Sequence, residues 1–279
     1  MPLPEFEPLI STGLQPGVMS MNDRPAVSTA SCPGAETAEA VKDIEVDLIT
    51  RLKPGANERG NEWLVWQLAD SAFPTGGFAH SGGLEAAWQH HEVRGGGALA
   101  EHLETALTQL VHNAMPFAAT AFRGERNFNE VDEWCDAFLS NHVANRASRA
   151  QGQSLLASAE KIFHVNELSA FRTAIRNHNL AGHFAPVFGR VAALLDLDER
   201  STARLFVFMQ LRGWISAAVR LNLIGPLEGQ TIQHQLAGAA EAVAARFGEV
   251  SLEDAAQTAP LLDVWQGTQD RLYSRLFQS

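Results

Sequence analysis

"LAEHLETALTQLV", residues 99–111, decides the fold class. Leu99, Leu103, Leu107, Leu110 and Val111 recur at three-to-four spacing, the period of an amphipathic helix and not of a strand. The same period returns in Glu130–Asn141, Ala147–Phe163, Glu167–His178, Gln230–Arg246 and Pro260–Phe277. Asp198–Leu223 is apolar almost all round, the mark of a helix buried on most faces. Good strand alternation is absent, alanine and leucine abound, and nothing repeats at a fixed period, so a solenoid is not expected. The pattern predicts an all-α fold: a single helical-bundle-like domain of roughly nine or ten helices over residues 61–279.

Residues 1–60 read differently. They hold more than half of the chain's 12 prolines and many Ser, Gly and Glu residues, with weak periodicity outside a short Ile44–Leu52 patch. A disordered N-terminal extension is expected there. The whole chain has 279 residues, is 46% hydrophobic and carries a formal net charge of −11. That is enough to bury a sizeable core, and the acidic balance argues against nucleic acid or an anionic membrane as partner. Cys32 and Cys135 are the two cysteines, too few for a disulfide framework, so a reducing compartment is expected. No basic start followed by an apolar core is present, and no run long enough to span a bilayer, so a cytoplasmic protein is expected.

The oddest segment is "FPTGGFAHSGGLE", residues 73–85. Ala79–Gly83 approximates a serine-hydrolase elbow. Such an elbow needs a strand running into the serine, and Phe73-Pro74-Thr75-Gly76-Gly77 cannot be a central strand. Ser81 is therefore read as the N-cap of a following helix that carries Glu85. A phosphate cradle is excluded as well, because a P-loop needs a lysine after its last glycine and none lies between Lys53 and Lys161. The histidines do not fall at metal-ligand spacing. His90 and His91 are adjacent, and His178 and His183 flank a helix end. Asp70 and Glu85 flank the glycine loop, Asp196 and Asp198 sit in a turn, and all four read as caps or solvated charges. No catalytic residue, cofactor site or metal site is predicted. A direct metal carrier using His80, His90 or His91, and an enzyme using Ser81, are the alternatives from other classes.

Two further features point to partners. Arg212, Ser216 and Arg220 lie four apart, forming one stripe on the 198–223 helix. Arginines on an apolar helix must find carboxylates, carbonyls or another protein, and either internal ion pairs or an interface would satisfy them. The last residues carry Leu272, Tyr273, Leu276 and Phe277 with Arg275 between them. Most termini fray and are polar, so this one is expected to dock on its own domain or on a partner.

Five stretches together resemble the urease accessory protein UreF family: "WQLADSAFPTGGFAHSGGLE" at 66–85, "SRAQGQ" at 148–153, "HFAPVFG" at 183–189, "AAVRLNLIGPL" at 217–227 and "LYSRLF" at 272–277. The resemblance implies an all-α, largely dimeric cytoplasmic protein without a cofactor of its own. It implies assembly with UreD (also called UreH) and the GTPase UreG, and help in delivering nickel to apo-urease. By motif, it implies that Glu85 and Arg220 couple to the GTPase, many members having lysine at the second position. It also implies that the tail orders against UreD. The expected partner-facing residues are Glu85, Arg212, Arg220, Leu272, Tyr273, Arg275, Leu276 and Phe277.

Overall fold

A computed structural model describes residues 58–279, which belong to one compact unit. The expected N-terminal extension, its Ile44–Leu52 patch and Cys32 lie outside the described residues, save that residues 58–60 begin the first helix. The described residues contain twelve α-helices, three short 3₁₀ turns and no strand. The all-α expectation holds, with more helices than the nine or ten expected.

In chain order the helices are α1 (Glu58–Ala69), α2 (Leu84–Gln89), α3 (Gly95–Asn113), α4 (Met115–Arg123), α5 (Phe128–Phe138), α6 (His142–Phe163), α7 (Asn166–Asn177), α8 (Phe184–Leu194), α9 (Glu199–Arg220), α10 (Pro226–Gln235), α11 (Ala237–Ala245) and α12 (Pro260–Gly267). The excess over the expected count comes from breaks that periodicity alone does not mark. A segment read as one helix, Gln230–Arg246, divides at Leu236, where α10 ends and α11 starts. Between α3 and α4 the chain turns at Ala114, and Pro116 sits in the first turn of the new helix, where its missing N–H breaks no intrahelical bond.

The centre is α8, packed between α4 and α6. Eight of its eleven residues are buried. Two glycines let these backbones touch. A Cβ on Gly189 would lie 2.9 Å from the Ala118 carbonyl carbon on α4. A Cβ on Gly152 of α6 would lie 2.7 Å from the His183 carbonyl carbon, where α8 begins. Phe184, Phe188 and Phe206 then join α8 to α9, with ring centroids 5.1–6.2 Å apart. His183 is buried and hydrogen-bonded by protein groups: its Nε2 meets Asp136 at 3.0 Å, its Nδ1 meets Ser148 Oγ at 3.1 Å, and its main-chain N–H donates to Asp132 at 2.8 Å. This polar node ties α5, α6 and α8 together.

Among the described residues no helix is long and apolar enough to cross a membrane. Long α9 begins at its Asp198 cap, whose carboxylate accepts from Ser201 N at 2.8 Å, in line with the reading of Asp198 as a cap. The chain's end departs from expectation. Pro260–Phe277 is not one helix: α12 stops at Gly267, a 3₁₀ turn covers Gln269–Arg271, and Leu272 is extended at φ −65°, ψ 138°. Side chains from elsewhere capture the main-chain N–H groups that a helix would have used.

Candidate functional site

The glycine-rich loop and the chain's tail build one site. After α1 the chain turns at Asp70, whose Oδ1 accepts from Ala72 N at 2.8 Å, and then makes a 3₁₀ turn at Gly77–Ala79. Gly82 and Gly83 follow with φ of +63° and +90°, values that favour glycine. A Cβ on Gly82 would also lie 3.2 Å from Trp214 Cδ1, and one on Gly83 2.9 Å from Gln266 Cβ. The loop can therefore press against α9 and α12, and it delivers α2 with Glu85 in its first turn. Gly83, not Ser81, is the residue that caps α2. The Ser81 hydroxyl accepts from Glu85 N at 3.3 Å while donating to the Ser279 main-chain oxygen at 2.7 Å.

Glu85 is buried, not solvent-facing, and its carboxylate clamps the tail. Oε1 accepts from Leu276 N at 2.6 Å, and Oε2 accepts from Phe277 N at 3.0 Å and Gln269 Nε2 at 2.6 Å. The Gln269 amide reaches on to the Phe277 carbonyl at 3.2 Å. Gln278 N donates to Ala79 O at 2.8 Å, and Ser81 N to the Ser279 main-chain oxygen at 2.6 Å. Phe277 is thereby seated in the core, while Tyr273 is fully exposed and Leu276 is 53% exposed.

The arginine stripe on α9 finds carbonyls, not carboxylates. Arg212 donates to Ala69 O at the end of α1, and Arg220 to Phe78 O. The Arg220 guanidinium lies 3.5 Å from the Phe78 ring centroid and 4.3 Å from that of Phe277. Burial lowers the pKa of both arginines, opposed by the charge of Asp70 at Arg212 and of Glu85 at Arg220. Arg220 thus joins the loop to the tail, and exposed Phe78 stands beside it. On the other flank Arg146 of α6 grips Asp270 with two nitrogens at 3.1 and 2.9 Å, and Arg275 shares that carboxylate at 2.9 Å.

Beneath the loop lies a cavity of about 580 Å³ whose lining includes Phe73, His102, Cys135, Arg212 and Asp263. Burial holds His102 at about 4 and raises Asp263 and, well above its usual value, the Cys135 thiol. Among the described residues no group of three or more His, Cys, Asp or Glu side chains is arranged to hold a metal ion. His80 meets Ser279 Oγ at 2.8 Å and His90 meets Thr268 Oγ1 at 2.9 Å, so both are engaged in tail or α12 contacts.

Of the residues singled out in the sequence, the fold brings Glu85, Arg220, Leu276 and Phe277 together. It puts Arg212 at the far end of the stripe and leaves Tyr273 free in solvent. Sequence reading missed Gln269, Arg146 and Asp270. No local signal marks them, because each acts on a segment remote in sequence.

The model of the UreF family matches residues 93–237. Urease accessory protein F of rice (Oryza sativa subsp. japonica) is 39% identical over 223 residues, covering 77% of this chain and 84% of the rice protein. Urease accessory protein F of Arabidopsis thaliana is 39% identical over 222 residues, covering 78% of this chain and 92% of its own. Urease accessory protein UreF of Mycobacterium tuberculosis H37Rv is 31% identical over 214 residues, covering 76% and 96%.

Proposed function

The chain belongs to the urease accessory protein F family, and from that premise we propose that it serves urease maturation as an adaptor between UreD and the GTPase UreG, supporting nickel insertion into apo-urease. It works as a cytoplasmic homodimer and carries no catalytic group of its own. The observation that carries this reading is the clamped tail. A buried carboxylate, two main-chain N–H groups and a seated Phe277 hold the tail in one conformation, with Tyr273 and Leu276 turned outward. Large apolar side chains held rigidly in solvent are what a protein interface uses as anchors. Tyr273, Leu276 and Arg275 make the direct contacts with UreD, and Leu272 lies behind them. Glu85 and Phe277 act by holding the tail in place.

Arg220 couples the tail to the glycine loop, and Arg212 fastens the other end of the same stripe. Arg220's guanidinium is committed to a carbonyl and two ring faces. That favours a scaffold over an arginine that reaches into a nucleotide site, because a finger must extend to the phosphoryl group and would give up these ring and carbonyl contacts to do so. Pull-down with UreD tests the reading: a chain ending before Gln269 should lose UreD, and retained binding would contradict it. Replacing Arg220 by Ala should weaken urease activation in cells and leave the helical circular dichroism unchanged.

A further inference from the structure

We infer that the exposed face of α6 beside the tail is a docking groove for an acidic segment of the protein that takes the tail. The inference rests on the proposed role of the tail. His142, Arg146 and Arg149 line an open groove of about 650 Å³ that runs from Leu139 and Ser140 to Gln153. The whole chain carries a net charge of −11, yet no carboxylate lines this groove. One carboxylate at its edge, Asp270, serves three basic groups: Arg146, Arg275 at 2.9 Å and His142 at 3.3 Å.

The Arg149 side chain is exposed and donates no hydrogen bond to another described residue. The carboxylate that feels its charge, Asp136, is already held by Asn145 Nδ2 at 2.8 Å and His183 Nε2 at 3.0 Å. Arg146 and Arg149 are three residues apart on one helix and so share a face. Asp270 is divided between Arg146 and Arg275, and Asp136 is tied to Asn145 and His183, so the two neighbouring guanidinium groups keep donors for further carboxylates, which arginine binds best in bidentate fashion. Arg146 also donates to Gln278 O at 3.3 Å, so the groove is continuous with the clamped tail. A partner seated on Tyr273 and Leu276 can lay Asp or Glu side chains along α6. A long polyanion such as a nucleic acid fits less well, because it would meet the acidic field of the rest of the chain.

The test is titration of purified cognate UreD with the full chain and with its Arg149→Glu variant, at 50 and 300 mM NaCl. The variant breaks no internal hydrogen bond and only exchanges a screened attraction for half-exposed Asp136 for a repulsion, so its melting temperature should fall by no more than a few degrees. At low salt its affinity should fall by about tenfold or more, and its salt dependence should flatten, as charge reversal at an interface does. Arg176→Glu, an exposed control on α7, should bind like the parent. If Arg149→Glu binds UreD like the parent while the chain ending before Gln269 does not bind, the groove is refuted and the role of the tail stands. If the truncated chain still binds, both are refuted. Binding of single-stranded DNA that needs Arg149, with UreD affinity unchanged by the variant, also overturns the proposal.

Discussion

Replacing Glu85 by Ala should release the tail without unfolding the domain. The carboxylate accepts three hydrogen bonds at 2.6, 2.6 and 3.0 Å in a site only 2% exposed. Hydrogen bonds to a charged group contribute roughly 1.5–3 kcal/mol each, a gross sum of about 5–9 kcal/mol. Burying the carboxylate offsets several kcal/mol of this, which leaves a net clamp of about 3 kcal/mol. The loss is limited in another way. Once the clamp is gone, the Leu276 and Phe277 amides can be hydrated by undocking the tail, at the further cost of exposing Phe277, about 2 kcal/mol. A change of about 3 kcal/mol corresponds to roughly a hundredfold shift in the docking equilibrium.

Hydrogen exchange reads this directly. Protection of the Leu276, Phe277 and Gln278 amides should fall by about two orders of magnitude, while amides of α8 keep theirs. Glu85→Gln should resemble Glu85→Ala within a few-fold, because it removes one acceptor and sets an NH₂ against donors. Equal tail protection in parent and variant would refute the clamp. Parallel loss of protection in α8 would show instead that Glu85 is part of the core.

Two other predictions concern stability. Gly152→Ala should destabilise the domain by about 2 kcal/mol, because overpacking against backbone outweighs the gain of about 1 kcal/mol in helix propensity; a Cβ there would lie 2.7 Å from the His183 carbonyl carbon and 2.8 Å from Phe184 N. A thermal midpoint equal to the parent's would mean that α6 and α8 can move apart freely. His102, stacked 6.0 Å from Trp265, titrates at about 4, below its ordinary 6.5. The folded state therefore resists the proton that the unfolded chain accepts, so this contribution is intact above 6.5 and is lost as pH falls from 6.5 towards 4. At about 1.36 kcal/mol per unit the ceiling is roughly 3 kcal/mol, and less for a ring that stays partly exposed. Urea midpoints at pH 7 and 4.5 should differ less for His102→Leu than for the parent, and an identical pH dependence would refute the assignment.

Periodicity was sufficient for the class of fold, because a helix that buries one face must repeat its apolar residues at 3.6. Leu99, Leu103 and Leu107 are all buried, as that period requires. Helix ends were less legible. The division at Leu236 leaves the apolar pattern of Gln230–Arg246 uninterrupted, so nothing in the period announces it. The Arg212–Arg220 stripe was visible, and so was its need for partners. That those partners are the carbonyls of Ala69 and Phe78 depends on where α9 crosses the loop.

The sequence by itself determined that the chain from about residue 60 is helical in pattern, that the glycine loop has neither the strand approach of a hydrolase elbow nor the lysine of a P-loop, and that the chain resembles urease accessory proteins. These follow from local rules: spacing, backbone freedom and the residue types each chemistry requires. Only the tertiary structure decided what Glu85 does. Glu85 and Phe277 are 192 residues apart in the chain, as are the carboxylate and the amide it holds. No local rule pairs a side chain with a main-chain N–H that distant. The tail's apolar residues read as a helix because their spacing allows one. They form a non-helical strap because the buried carboxylate takes the Leu276 and Phe277 N–H groups that a helix would have used, while the Gln269 amide and the Ser81 hydroxyl hold the Phe277 carbonyl and the Ser279 main-chain oxygen.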